Sequence, residues 1–142
     1  MLKGIPPILP PELLKIMCEM GHGDRIVIAD GNFPAEAMGK QVVRMDGHDA
    51  IPIIEAIMKL FPLDKSTETP VALMEVSAGE EVSTPIWNEY EGLFEKYDGR
   101  GKDCIEMLGR YEFYDVAKTA YAIIATGEKA LYANLIIRKG II

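Results

Sequence analysis

The sequence predicts an α/β fold, with a mixed, mainly parallel sheet and helices on both of its faces. Short apolar runs rich in β-branched residues alternate along the chain with segments whose apolar residues recur at helical spacing. This alternation is typical of parallel strands joined by helical crossovers. The connection GEKALY between the last two predicted strands is too short for a crossover, so we expect one antiparallel pair.

The first predicted helix begins at Pro11 and ends at Gly21, because proline is favoured in the first turn and glycine just after the last. Its apolar stripe consists of Leu13, Leu14, Met17 and Met20. The run RIVIA between Asp24 and Asp30 is apolar throughout, which is typical of a strand covered on both faces. His22 therefore lies in a turn, and Asp30 lies at the carboxyl end of a strand.

The middle of the chain predicts two longer helices with a strand, VALMEV, between them. In HDAIPIIEAIMKLFP, Pro52 falls in the first turn, where proline is tolerated. In STPIWNEYEGLFEKYDG, Ser83 or Thr84 is the expected cap and Pro85 the first helical residue. The two apolar stripes are Ile51, Ile54, Ile57, Met58 and Phe61, and then Ile86, Tyr90, Leu93, Phe94 and Tyr97.

The last third of the sequence predicts shorter strands and a shorter helix. CIEML is a short strand, EFYDVAKTA a short helix, AYAIIAT a buried strand and ANLIIRKGII the last strand. Four methionines that fall on apolar stripes are expected in the core, namely Met17, Met20, Met58 and Met74.

Length and composition fit one globular domain over residues 1–142, with 49% hydrophobic and 26% charged residues. The formal charge of -7 repels a phosphate backbone, so nucleic acid is not an expected partner. No run approaches the roughly 20 apolar residues of a membrane span, and the N-terminus lacks a signal-peptide cleavage site. Cys18 and Cys104 lack CxxC spacing and are expected to be reduced core thiols, which predicts a cytoplasmic location.

The sequence lacks the phosphate-loop, GxGxxG, GxSxG and HExxH motifs of nucleotide, serine-hydrolase and zinc-peptidase chemistry. A reaction without a cofactor is therefore favoured. A metal site built from His22, Asp24, Asp30 and the segment DGHD is disfavoured, because the spacings match no familiar ligand pattern. A turn followed by a helix cap explains DGHD equally well.

His22 is the candidate for proton transfer, because histidine exchanges a proton near neutral pH. The glycines on either side leave its imidazole uncrowded. A turn histidine bonded to the backbone fits the same spacing, and the spacing alone does not separate the two interpretations.

Asp30, Arg110 and the stretch Tyr132-Ala133-Asn134 are candidates for binding a polyol. Asp30 lies where open α/β sheets place ligand sites, although DGNFP also fits a turn with a cap. Arg110 can present its planar guanidinium to hydroxyl groups or remain a solvated surface residue. The phenol of Tyr132 and the amide of Asn134 can donate and accept hydrogen bonds, or the tyrosine packs at the edge of the core.

Together, the segments PELLKIMCEMGHGD, IVIAD, FPAEAMG, RYEFYDVAKTAYAIIATGE and YANLIIRKG resemble the RbsD/FucU family, in particular its L-fucose mutarotase branch. The resemblance implies a three-layer α/β/α fold, a reaction without metal or organic cofactor, and rings of subunits stacked into a decamer. It implies that His22 is the proton donor. The sugar-binding positions that it implies are Asp30, Arg110, Tyr132, Ala133 and Asn134.

Three functions follow from this resemblance. The first is interconversion of the α and β anomers of L-fucose, with His22 protonating the ring oxygen and Asp24, Tyr132 or water as the base. The others are pyranose–furanose interconversion of D-ribose and non-catalytic monosaccharide binding. Arg110 and FPAEAMG favour the fucose branch, because ribose pyranases tend to carry histidine at the position of Arg110. The match is loose over residues 62–104, so pocket walls from that region are not predicted.

Overall fold

The computed structural model describes all residues from Met1 to Ile142, and six strands form one sheet between two layers of helices. The helices are α1 (Pro11–Glu19), α2 (Ala35–Met38), α3 (Ala50–Met58), α4 (Pro85–Tyr97) and α5 (Arg110–Thr119), with a 3-10 helix at Gly101–Cys104. The strands are β1 (Arg25–Ala29), β2 (Val42–Met45), β3 (Val71–Met74), β4 (Ile105–Leu108), β5 (Ala122–Thr126) and β6 (Leu135–Arg138).

The strand order is β2-β5-β1-β6-β3-β4, and only β6 runs antiparallel to its neighbours. This confirms the predicted α/β fold with a mixed, mainly parallel sheet. The prediction that β5 and β6 form the antiparallel pair was wrong. Strand β1 lies beside β5, and β6 pairs with β1 and β3 instead. The chain leaving β5 must therefore cross the end of β1 before it enters β6.

Helices cover both faces of the sheet. Successive residues of β1 alternate between two cores: Ile26 and Ile28 belong to the larger one, and Val27 and Ala29 to the smaller one. The larger core receives α1, α3 and α4, whereas the smaller one receives α2 and α5. Burial of both faces explains why the run RIVIA carries no polar alternation.

Most predicted elements are present, and the differences have simple causes. Helix α2 and strand β2 are too short to show a periodicity, and β2 is an edge strand with Arg44 exposed. Helix α4 begins after Thr84 as predicted, but the threonine hydroxyl makes no capping hydrogen bond. Cys104 is buried, whereas Cys18 is exposed, so Cys18 is not the core thiol that the sequence indicated.

No helix in the structure combines the length and the apolar character needed to cross a membrane.

Gly127 follows β5 where two backbone segments approach closely, and we expect Gly127→Ala to destabilise the fold. An added Cβ would clash with the carbonyl oxygen of Asp46, which is backbone and cannot turn aside. The free energy of unfolding in urea should fall by about 1–3 kcal/mol, as for an overpacked site. Gly47→Ala is the matched control, because nothing lies within 4 Å of its added Cβ. Equal stability of the two variants would contradict this account.

Candidate active site

The sheet topology gathers the predicted polyol-binding residues at one end. The carboxyl ends of the five parallel strands lie together there, beside the amino end of β6. Asp30 follows β1, Arg110 follows β4, and Tyr132 and Asn134 precede β6. These four residues line a cavity of about 220 Å³, which we call the carboxyl-end cavity. It is smaller than the roughly 300–1,000 Å³ of pockets for drug-sized ligands, as suits a monosaccharide.

The floor of the carboxyl-end cavity is a reciprocal pair between Asp30 and Asn134. The backbone N–H of Asp30 donates to Asn134 Oδ1 at 2.7 Å, and Asn134 Nδ2 donates to Asp30 Oδ2 at 3.0 Å. The N–H of Asn32 donates to Asp30 Oδ1 at 2.9 Å. Burial raises the pKa of Asp30, and the hydrogen bonds from Asn32 and Asn134 offset part of that rise. The site therefore holds a buried carboxyl that is a stronger base than an exposed one.

Side chains of helix α4 hold the backbone of the segment from Tyr132 to Asn134 in place. Trp87 Nε1 donates to the carbonyl of Tyr132, and the Tyr90 hydroxyl donates to the carbonyl of Ala133, each at 2.8 Å. Tyr132 has φ of 54°, in the left-handed region that non-glycine residues rarely adopt. The sequence assigned Tyr90 only to a helix face, and its spacing gave no signal for this second role.

Glu80 is a wall residue that the sequence did not predict. It lines the carboxyl-end cavity from the connection between β3 and α4, and its carboxylate accepts a hydrogen bond from the Tyr132 hydroxyl. The same hydroxyl bonds to Ser77 Oγ at 3.2 Å. Glu80 lies in an irregular segment within the loosely matched region, so neither periodicity nor resemblance could identify it.

The rest of the lining is mostly apolar or aromatic, and it includes Phe33, Pro34, Met74, Tyr114 and Leu131. Phe33 packs edge-on against Tyr114, with ring centroids 5.8 Å apart. A lining with both polar and apolar side chains fits a ligand that has both hydroxyl and C–H groups.

Arg110 is the first residue of α5 and lies at the carboxyl-end cavity. Its side chain is exposed, and it makes no hydrogen bond or ion pair within the chain. Its guanidinium therefore remains free to donate to a ligand in the cavity.

Two predicted site residues do not line the carboxyl-end cavity. Ala133 is fully buried, because its side chain turns into the larger core while its neighbours face the cavity. His22 precedes β1, whereas Asp30 follows it, so the strand lies between them. Five residues at about 3.3 Å each put about 16 Å between these two ends of β1.

His22 belongs instead to a cluster at the amino end of β1, with Asp64 and Arg138, which we call the amino-end cluster. His22 Nε2 lies 3.1 Å from Asp64 Oδ1, and Arg138 Nε lies 2.9 Å from Asp64 Oδ2. The sequence gave no signal for Asp64, which lies between α3 and β3 in the loosely matched region.

The carboxyl of Asp64 is held ionised although it is only 1% exposed. Burial alone would raise its pKa, but hydrogen bonds from Ser66 and His22 outweigh burial and lower the pKa to about 2. The amino-end cluster therefore contains a fixed negative charge at neutral pH.

The aspartates considered for a metal site have other partners. Asp24 accepts the N–H of Gly21 at 2.7 Å within the turn, and Asp46 is paired with Arg44. No three histidine, cysteine, aspartate or glutamate side chains are grouped so that they could hold a metal ion.

Asn134→Ala should destabilise the protein, because it leaves the buried N–H of Asp30 without a partner. The free energy of unfolding in urea should fall by about 1–3 kcal/mol. The pKa of Asp30 should rise further, because the ionised carboxylate also loses a donor. Asn88→Ala is the control, since Asn88 is exposed on α4. A loss of stability no larger than that of the control would contradict the role of this pair.

Known proteins match the chain over nearly its whole length. The model of the RbsD / FucU transport protein family matches residues 3–142. The fucose mutarotase of Homo sapiens is 45% identical over 150 residues, covering 99% of this chain and 94% of that protein.

Two solved structures are closely similar to this fold. FucU from Bifidobacterium longum superimposes with a TM-score of 0.97 at 58% identity, and 99% of each chain is covered. The fucose mutarotase of Streptococcus pneumoniae in complex with L-fucose superimposes with a TM-score of 0.94 at 40% identity, again with 99% of each chain covered. The matched family model, the identities and the shared fold together establish that this chain belongs to the RbsD/FucU family.

Proposed function

We propose that the protein is an isomerase that interconverts the α and β anomers of L-fucose without a cofactor. The observation that carries the proposal is the convergence of Asp30, Arg110 and Asn134 on a cavity of monosaccharide size. A human relative is a fucose mutarotase, and a similar bacterial structure holds L-fucose.

The carboxyl-end cavity suits a deoxy sugar. L-Fucose carries hydroxyl groups on most of its ring carbons and a methyl group in place of a terminal hydroxymethyl. Asp30, Arg110 and Asn134 offer acceptors and donors to the hydroxyl groups. Met74 and Leu131 offer an apolar surface to the methyl group.

Anomer exchange requires a base for the proton of the anomeric hydroxyl and an acid for the ring oxygen, so that the ring opens to the aldehyde. Of the bases left open by the sequence, Tyr132 lines the cavity of the same chain, whereas Asp24 lies in the turn of His22 and accepts the N–H of Gly21. Asp30 is a further candidate base, because its pKa is raised by burial. The reaction therefore has two candidate bases inside the cavity.

The proposed acid, His22, must come from a second copy of the chain. Within one chain, β1 separates His22 from the carboxyl-end cavity, and no side chain spans that distance. We propose that the amino-end cluster of one copy docks at the cavity of the next. Such a head-to-tail contact closes into a ring when its rotation closes. The decamer implied by the family resemblance consists of such rings stacked on one another, and light scattering measures the size of the assembly.

Exposed apolar side chains near the cavity support this contact. Leu131, which lines the cavity, is 55% exposed, and Tyr111, beside Arg110, is 79% exposed. Burying such side chains against a second copy is favourable.

We propose a cytoplasmic location for the protein. Both cysteines are free of disulfides, which fits a reducing compartment.

Non-catalytic sugar binding is the second candidate function, and one observation favours it. The carboxyl-end cavity of a single chain contains no histidine, so an unassembled chain has the binding groups without the proposed acid. This candidate predicts sugar binding with no change in the rate of anomer exchange.

His22→Ala should keep the fold and most of the affinity for fucose but lose the acceleration. General acid catalysis is worth about 10²- to 10⁴-fold, so the enzyme-dependent rate should fall by that factor. Saturation-transfer NMR of L-fucose anomers measures the rate, and D-ribose in a parallel sample tests the ribose reaction. His48→Ala is the control, because His48 is the only other histidine and is exposed outside the site. An unchanged rate in His22→Ala would refute the assignment, and wild-type binding without acceleration would favour the second candidate.

Mixing two inactive variants should restore activity if the site is shared between copies. His22→Ala keeps an intact cavity, and Asp30→Ala keeps an intact histidine. After unfolding and refolding together in equal amounts, about a quarter of the sites should combine both intact halves in a closed ring. The same variants refolded separately and then mixed are the control.

No recovery in assembled mixed rings would show that each site uses one chain alone. Mass spectrometry of the intact assemblies confirms that the rings are mixed.

A further inference from the structure

Glu80 brings a carboxylate to the carboxyl-end cavity from the connection between β3 and α4. The residue is exposed, and none of the ion pairs within the chain includes it. An acidic side chain that lines a cavity without a cationic partner is available to a ligand. Its position has to be fixed if it is to select one ligand over another.

The Tyr132 hydroxyl fixes one of the two carboxylate oxygens of Glu80. This hydroxyl donates to Glu80 Oε2 and accepts the N–H of Ser77 at 3.3 Å. It also lies 3.2 Å from Ser77 Oγ. A phenol has a single proton to donate, and the carboxylate is its stronger acceptor, because hydrogen bonds to ionised groups are about twice as strong as neutral ones. Glu80 Oε2 is therefore committed to Tyr132.

A tight turn fixes the backbone of Glu80. The N–H of Glu80 donates to the carbonyl of Ser77 at 3.1 Å, and Gly79 between them has φ of 85°. Glycine adopts this left-handed conformation without the steric cost that other residues meet. The turn and the Tyr132 hydroxyl together hold Glu80 at its backbone and at its side chain.

The second carboxylate oxygen, Glu80 Oε1, accepts no hydrogen bond within the chain. Both oxygens of Asp30, in contrast, already accept: Oδ1 from the N–H of Asn32 and Oδ2 from Nδ2 of Asn134. Arg110 at the same cavity only donates. Glu80 Oε1 is therefore the carboxylate oxygen of the carboxyl-end cavity that is free to receive the hydrogen of a sugar hydroxyl.

We propose that Glu80 is a sugar-binding residue that sets substrate specificity: Tyr132 holds its Oε2, and its Oε1 accepts the hydrogen of one hydroxyl group of L-fucose. The proposal rests on the proposed function, in which the carboxyl-end cavity binds this sugar. It adds a ligand contact from the connection between β3 and α4. Glu80 transfers no proton, so it contributes to affinity and to the choice of sugar. An analogue without that hydroxyl group leaves the carboxylate without its donor and binds less tightly.

The first test measures the affinity for L-fucose by isothermal titration calorimetry of the assembled protein. Glu80→Ala should raise the dissociation constant about tenfold, since a hydrogen bond to a charged group is lost. The rate of anomer exchange at saturating fucose should change little, because the contact is made equally in the ground state and in the transition state.

Glu81→Ala is the matched control for this measurement. Glu81 is the neighbouring acidic residue, is exposed and does not line the carboxyl-end cavity. Its replacement should leave the dissociation constant unchanged. Equal affinities of Glu80→Ala and wild type would overturn the proposal, as would an equal loss of affinity in Glu81→Ala.

The second test identifies the hydroxyl group and separates a direct contact from a loosened cavity. The ligands are analogues of L-fucose that each lack one ring hydroxyl group, at C1, C2, C3 or C4. Wild type should lose about tenfold in affinity for the analogue that lacks the contacted hydroxyl group. Glu80→Ala should bind that analogue as tightly as it binds L-fucose, whereas the remaining analogues should lose the same factor with both proteins. Equal losses in the two proteins for every analogue would mean a merely structural role and would overturn the proposal.

Tyr132→Phe tests the anchor of the carboxylate. The substitution removes the hydroxyl and keeps the ring, so that Glu80 Oε2 loses its partner. We expect weaker fucose binding, which Glu80→Ala should not weaken further, because the two residues act as a unit. A further tenfold loss in the double variant would contradict the role of Tyr132 as the anchor.

Failure of the proposed function gives a different result. Wild type that binds L-fucose without accelerating anomer exchange would refute the isomerase, and the analogue measurements would still decide the role of Glu80. Wild type that accelerates exchange, with equal analogue losses in wild type and Glu80→Ala, would refute the role of Glu80 alone.

Discussion

The antiparallel direction of β6 is the constraint on which the rest of the structure depends. Because β6 runs against β1 and β3, its amino end lies at the carboxyl ends of these strands and its carboxyl end lies at their amino ends. Asn134 precedes it and pairs with Asp30, whereas Arg138 ends it and lies beside Asp64. A packed strand does not shorten, so the binding groups and the proposed acid stay apart in one chain. Assembly between copies is therefore part of the proposed chemistry.

The carboxyl-end cavity and the amino-end cluster each contain a buried carboxyl group, but their surroundings shift the pKa values of the two groups in opposite directions. Around Asp30, burial prevails and raises the pKa, which suits a group that takes a proton. Around Asp64, donated hydrogen bonds prevail and hold the pKa at about 2, which suits a group that stays charged. The same residue type therefore provides a candidate base at one end of the sheet and a fixed charge at the other.

Local pattern predicted the parts of the fold that have strong periodicity. The apolar run RIVIA and the stripe on α4 led to the right elements, because burial dictates their spacing. Short α2 and β2 carried no such signal. The partners of β6 were predicted wrongly because loop length limits a crossover but does not name the neighbouring strand. Asp64 and Glu80 were missed because irregular loops carry them, and only the folded backbone brings them beside His22 and Tyr132.

The most direct test is a crystal structure of the assembled protein with L-fucose bound at the carboxyl-end cavity. The account predicts that the imidazole of His22 from a neighbouring copy lies within about 3.2 Å of the sugar ring oxygen. A bound sugar whose ring oxygen is approached by no histidine, in an assembly with every His22 facing solvent, would contradict the account.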